Sequence, residues 1–312
     1  MRPSAFLALL NVLILPSFLF GQNIIRDTIQ HNNLDRSYIL YVPANYEPSE
    51  SWPLVMALHG GGDGNGESLF QQLHFHEVAD TANFICVFPN GYANQWADGR
   101  GVTTPDQQGV DDVQFLNDLL DIISLQYPFD NNNVFVAGVS NGGMMVQRLA
   151  CESTSAFRAF ATIIASMPDS IAVNCEPTAP VPMLIMNGTE DILVPYGGGP
   201  LHPLTDGRSV IGTDATVQFW KVNNSCTPDH EMFTFQNIDF SDGSTVHYKA
   251  YNDCNDSSEV VLYRIEGAGH TIPGMEATMN PRPLVGYVNY DIDAAIEIWH
   301  FFRTHRSQAT VN

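Results

Sequence analysis

The feature that most constrains this chain is five residues long: Gly138-Val139-Ser140-Asn141-Gly142, set between the apolar run Val134 to Ala137 and the helical run Met144 to Ala150. By composition alone Gly-x-Ser-x-Gly would arise in about one chain in ten, so the flanks carry the argument. Between a strand and a helix the pattern describes a strained turn that lifts a serine hydroxyl above a sheet, with glycines where neighbouring backbone would crowd a side chain. That context makes Ser140 a candidate nucleophile.

The rest of the sequence supplies the sheet. Pro53 to Leu58, Phe84 to Phe88, Val134 to Ala137 and Met183 to Met186 are continuous apolar runs of buried-strand length, Val260 to Ile265 reads as a further strand, and Arg36 to Val42 alternates as an edge strand does. Glu67 to Thr81 and Asp111 to Leu125 carry apolar residues at helical spacing. The chain closes on Asp291 to His305, where Ile292, Ala295, Ile296, Trp299 and Phe302 form an apolar stripe. Strand and helix alternate, so the expected class is α/β, with a mostly parallel central sheet and helices on both faces. The 312 residues suit one large core, and no compositional shift marks a second.

A serine hydroxyl is a weak nucleophile near neutral pH and needs a base within reach. His270 stands out among ten histidines because Gly267 to Gly274 is a small-residue loop directly after the strand Val260 to Ile265, and loops leaving strand C-termini are where such sheets present a site. The base needs an acid to hold its tautomer. Asp191, after the run Met183 to Met186, is that candidate, with Glu190 its neighbouring competitor. Acyl transfer also needs backbone N–H groups aimed at the developing oxyanion, each worth about 3 kcal/mol. Asn141 supplies one. Leu58-His59-Gly60-Gly61-Gly62 supplies the other, with Gly61 as first choice and Gly62 as second. The order Ser, Asp, His is that of the α/β-hydrolase fold.

Other features read more plainly. His59 is expected to shape its loop through backbone bonds. His74 and His76 face different ways and make poor metal partners, Asp63-Gly64-Asn65-Gly66 is a turn, and Met144 and Met145 belong to the core. No Cys-x-x-Cys pair occurs, and no metal is expected. Trp96, in the irregular stretch Asn94 to Gly109, is a candidate for stacking on substrate.

Asp and Glu number 34 against 13 Lys and Arg, a formal net charge of −21. Such a field disfavours nucleic acid and anionic lipid surfaces as partners. The run Ala5 to Phe20 after Arg2 reads as a secretory signal peptide ending near Gly21, too short for a membrane span of about 20 residues. The expected mature chain is therefore one domain over 22–312, a monomer exported to the extracellular or periplasmic space, without membrane attachment. Export permits disulfides among Cys86, Cys151, Cys175, Cys226 and Cys254. Cys86, inside an apolar run, is expected to be a buried free thiol. Nearest-neighbour pairing of the other four gives Cys151 with Cys175 and Cys226 with Cys254, but sequence alone allows three connectivities.

With these residues in place, the chain resembles the extracellular poly(3-hydroxybutyrate) depolymerase and feruloyl esterase family, grouped with the carbohydrate esterases of the first family. The likeness runs from about Tyr38 to Arg303. It includes Leu58-His59-Gly60-Gly61, Phe88-Pro89-Asn90-Gly91, Gly109-Val110-Asp111-Asp112-Val113, Gly138 to Gly143, Gly188-Thr189-Glu190-Asp191 with Val194-Pro195-Tyr196, and Gly269 to Gly274. The resemblance implies an α/β-hydrolase fold, Ser140, Asp191 and His270 as a catalytic triad, no cofactor, and the two disulfides as paired above. Asn187 and Ile272 stand where members often carry His and Trp. The chain ends soon after its last helix, with no polymer-binding domain, which favours a feruloyl or acetyl ester of a plant polysaccharide or its oligosaccharides. The alternatives are a short-chain polyester of the polyhydroxybutyrate type as substrate, and a non-catalytic binding protein on a hydrolase scaffold.

Overall fold

The computed structural model describes residues 23–202, 208–275 and 282–307; the signal-peptide reading of residues 1–21 lies outside them. Twelve strands are described: β1 (Asn23–His31), β2 (Leu34–Val42), β3 (Leu54–Leu58), β4 (Ile85–Pro89), β5 (Val134–Val139), β6 (Ala159–Ile163), β7 (Met183–Gly188), β8 (Gly198–Pro200), β9 (Ser209–Ile211), β10 (Glu231–Thr234), β11 (Thr245–Tyr251) and β12 (Val260–Glu266). All but β8 and β9 form one sheet in the order β1-β2-β4-β3-β5-β6-β7-β12-β11-β10. The six strands from β4 to β12 in that order run parallel, and an antiparallel pair closes each end. Arg36 to Val42 is thus not an edge, because β1 covers it.

The helices are α1 (Gly66–Leu73), α2 (Phe75–Ala82), α3 (Thr104–Gln108), α4 (Asp112–Gln126), α5 (Asn141–Glu152), α6 (Asp169–Asn174), α7 (Thr213–Asn223), α8 (Arg282–Val285) and α9 (Ala294–Thr304). The period-2 pleat sorts them into two layers. Phe135, Ala137 and Val139 of β5 face a cluster with Phe70 and Leu73 of α1, Phe75 and Ala79 of α2, and Ile298 and Phe302 of α9. Val134 and Val136 face the opposite cluster, built on Leu116 and Leu119 of α4, Val146 of α5 and Trp220 of α7. The strands β3 to β7 are therefore dry on both faces, which is why most of them read as apolar runs.

Two helical expectations change in detail. The run Glu67 to Thr81 breaks at His74, whose φ of 50° ends α1 and starts α2. The last helix starts at Ala294 with Asp293 capping the Ile296 amide, so its buried side takes Ile298 and Phe301 while Ile296 turns outward, 44% exposed. Cys151 pairs with Cys175 and Cys226 with Cys254, and Cys86 in β4 is free and buried. The second bridge closes a segment that contains β10 and begins beyond α7.

Candidate active site

The four loops that carry the candidate residues all leave the C-terminal ends of parallel strands. His59 to Gly62 follow β3, Ser140 follows β5, Asp191 lies three residues past β7, and His270 lies four past β12. At Ser140 the chain turns from strand to helix within one residue, at φ 53° and ψ −119°, the left-handed side that a residue with a Cβ adopts only under constraint. The constraint is visible around it. The Ser140 amide donates to the Ile163 carbonyl of β6 at 2.9 Å, and a Cβ on Gly142 would lie 2.4 Å from the carbonyl oxygens of both Leu58 and His59. No side chain fits there, so the helix can start directly beneath the glycine loop only because position 142 is glycine.

The three polar side chains form one hydrogen-bonded row. His270 Nε2 is 3.0 Å from Ser140 Oγ, and His270 Nδ1 is 2.6 Å from Asp191 Oδ2. Asp191 is itself held: its Oδ1 accepts the Leu193 and Val194 amides, each at 2.8 Å, which leaves Oδ2 for the imidazole. A carboxylate oxygen accepts, so the ring proton sits on Nδ1 and the Nε2 lone pair faces the serine hydroxyl. Glu190 is exposed and does not enter the row. The His270 amide donates to the Val285 carbonyl at 2.6 Å, and the Gly269 amide donates to the Tyr287 carbonyl, fixing the loop from below.

Gly61 and Asn141 are brought side by side: a Cβ on Gly61 would sit 3.3 Å from that of Asn141. Nothing comparable lies near Gly62, whose φ of +76° turns the chain away. Neither the Gly61 nor the Asn141 amide has an acceptor among the described residues, and both residues line the cleft beside Ser140.

What holds this pair in place was not anticipated from sequence. The Asn141 side chain accepts the Trp96 amide at 2.8 Å through Oδ1 and donates to Asp98 Oδ2 at 2.6 Å. Asp98 is fully buried, which pushes its carboxyl up; the Arg100 guanidinium, bonded to it at 2.8 Å, opposes that shift. His59 behaves as expected of a loop-shaping group. Its Nδ1–H donates to the Gly60 carbonyl at 2.7 Å and its Nε2 accepts the Gly91 amide at 2.9 Å. Burial lowers its pKa to about 4, so the ring stays neutral and can accept at Nε2.

Trp96 is a correction. It is fully buried, its ring lies 5.0 Å from that of His59, and its indole N–H donates to the His59 carbonyl at 2.9 Å. It cannot stack on a substrate; instead it backs the glycine loop. An irregular stretch reads as exposed, but this one folds inward because its ring N–H and main chain find partners in the core.

Beneath this shell lies a buried ion pair. Arg36 of β2 donates to Asp112 Oδ1 at 2.6 Å, while Asp112 Oδ2 accepts the Ala97 amide at 2.8 Å, next to Trp96. Burial pushes the Asp112 carboxyl up, and Arg36 opposes it. Asp112 belongs to the block Gly109 to Val113 that marks the family resemblance, a signal that pointed to the residue without its role. Replacing Arg36 by alanine leaves that carboxylate buried and unpaired. The expected cost is about 3–5 kcal/mol, read as a lower midpoint of denaturant unfolding. A midpoint unchanged from the parent would show that the pair does not support the shell.

No protein-family model matches the sequence. Several curated relatives align with it, three of which illustrate the likeness. A bifunctional acetylxylan esterase/xylanase of Neocallimastix patriciarum is 29% identical over 174 residues, 55% of this chain and 24% of that protein. Feruloyl esterase B of Piromyces equi is 26% identical over 241 residues, 75% and 42% of the two chains. Feruloyl esterase C of Emericella nidulans is 28% identical over 170 residues, 53% and 58%. The chain is similar in sequence to feruloyl and acetylxylan esterases, and its fold is that of the α/β-hydrolases. It spans between a quarter and three-fifths of the length of these relatives. In fold it is similar to the acetyl xylan esterase from Aspergillus awamori, with a TM-score of 0.54 at 16% identity over 80% of this chain and 95% of that one.

The cleft, about 460 Å³, lies over Ser140 and His270. Leu69, Met144, Ile164, Leu193 and Ile272 give it apolar walls, and Gln72, Gln95 and Arg100 add polar groups. Ile272 thus lines the cleft. Asn187 instead lies buried beneath it, donating to Ala165 O and Thr213 Oγ1 and accepting the Ala165 amide.

Proposed function

We propose that the chain is a secreted, single-chain serine esterase that hydrolyses carboxylic esters on plant polysaccharides, feruloyl or acetyl, through an acyl-enzyme. The observation that carries this reading is the unbroken row from Asp191 through His270 to Ser140, ending on a serine held in a left-handed turn. His270 Nε2 takes the hydroxyl proton as Ser140 Oγ bonds to the ester carbonyl carbon. The Gly61 and Asn141 amides receive the resulting oxyanion. As the carbon–oxygen bond to the sugar breaks, His270 returns the proton to the departing hydroxyl. Water then repeats the sequence on the acyl-enzyme, freeing the acid.

The cleft supports an aromatic acyl group. Its volume lies within the roughly 300–1,000 Å³ of sites that enclose drug-sized ligands, and an acetyl group would leave most of it empty. The two disulfides support export; among the described residues no helix is long and apolar enough to cross a membrane. On this reading residues 1–21 are a signal peptide and the remainder is one catalytic domain.

The test is a substrate panel with the purified protein: methyl ferulate, an aryl acetate, acetylated xylan and polyhydroxybutyrate. Hydrolysis of the feruloyl and acetyl esters is expected to exceed that of the polyester. Preference for the polyester would overturn the polysaccharide reading, and no hydrolysis of any ester would overturn the enzyme.

A further inference from the structure

Beside the cleft the surface changes character. Tyr287 and Tyr290 follow α8, and they are 46% and 41% exposed; Ile238 and Phe240, on the loop between β10 and β11, are 64% and 85% exposed. The two segments are locked together. The Ile238 amide donates to Asp291 Oδ1 at 2.7 Å, the Tyr290 amide donates to Asp242 Oδ2 at 2.9 Å, and Asn289 Nδ2 donates to Ser244 Oγ at 2.8 Å. The first segment is in turn locked to the catalytic loop. Thr271 Oγ1 donates to the Tyr287 carbonyl at 2.8 Å, and both Thr271 and Val285 line the cleft. Exposed apolar side chains are therefore carried on two cross-bonded segments, one of which is tied through the Tyr287 carbonyl to a residue that lines the cleft.

Single exposed apolar residues are ordinary, but a group of large ones on interlocked backbone marks a contact surface. The surroundings restrict the partner. Asp239 and Asp291 stand partly exposed among these residues, and the whole chain carries a formal charge of −21, so anionic lipid and anionic polymer are repelled. A neutral polysaccharide fits: each sugar ring presents a C–H face that packs on an aromatic ring, and hydroxyls that donate to carboxylates. We infer that Tyr290 and Phe240 form a platform for the neutral sugar backbone on the polymer side of the ester, a xylan-type chain. The inference rests on the esterase reading for its substrate but not for its binding test.

The test separates the two. Ser140→Ala protein is expected to be retained by insoluble xylan, and adding Phe240→Ala with Tyr290→Ala is expected to weaken that retention about tenfold, two aromatic contacts being lost. With Ser140 intact, the same pair of substitutions raises KM for acetylated xylan by a similar factor, while kcat and the kinetics on a soluble aryl acetate stay unchanged. Undiminished retention in the substituted protein, absence of retention, or retention by phosphatidylcholine vesicles in place of xylan would overturn the platform. Loss of ester hydrolysis with retention intact would overturn the esterase reading alone.

Discussion

Replacing Ser140 by alanine lowers kcat on a soluble ester by about a millionfold, the scale on which removing the nucleophile of a serine hydrolase acts. The substitution removes the hydroxyl that lies 3.0 Å from His270 Nε2, and it leaves the elbow unchanged, since alanine must adopt the same φ of 53°. Folding is therefore not at issue, and the thermal midpoint stays close to that of the parent. Glycine at the same position is equally inactive but gains stability, about 1 kcal/mol, because it occupies the left-handed region without strain. Retention of ester hydrolysis by the alanine variant would remove Ser140 from the mechanism.

Asp191→Asn has the next largest effect, a fall in kcat of about ten-thousandfold. The change is nearly isosteric. The amide oxygen can keep the Leu193 and Val194 amides, which leaves its NH2 group facing His270 Nδ1. An NH2 donates, so Nδ1 must become the acceptor and the ring proton moves to Nε2. Nε2 then points a proton at a hydroxyl proton, and the base is lost while the protein remains folded. Glu190→Gln, one residue away and exposed, is expected to leave kcat within about twofold, since its charge is far better screened by solvent. The reverse outcome would assign the acid to Glu190.

Much of this architecture can be read from the sequence because its determinants are local. A buried strand, a turn that only glycines permit and a helix occupy adjacent positions at 134–152, and the loops of Asp191 and His270 each begin where a strand ends. Proximity in space follows from the parallel sheet, which delivers every such loop to one edge. What could not be read is either weakly patterned or long-range. β1 buries only Ile29 and His31 among its residues with a described environment, so it leaves no periodic signal. The run Ala159–Ile163 is fully buried, but three of its five residues are alanine or threonine. Arg36 and Asp112 lie 76 positions apart, and nothing in either neighbourhood names the other. Trp96 misleads because a stretch rich in Gly, Asp and Thr has the composition of a surface loop whether or not its tryptophan turns inward.

The Arg36 to Asp112 pair has a further meaning for how this chain can be cut. β1 and β2 contain none of the residues proposed to act on substrate, and a fragment beginning at β3 would keep every one of them. It would also lose the guanidinium that neutralises Asp112, and through Asp112 the Ala97 amide and the turn that presents Trp96 to the glycine loop. The smallest fragment expected to keep the proposed oxyanion site intact thus includes β2, so minimal fragments are better delimited by the ion pair than by the nucleophile.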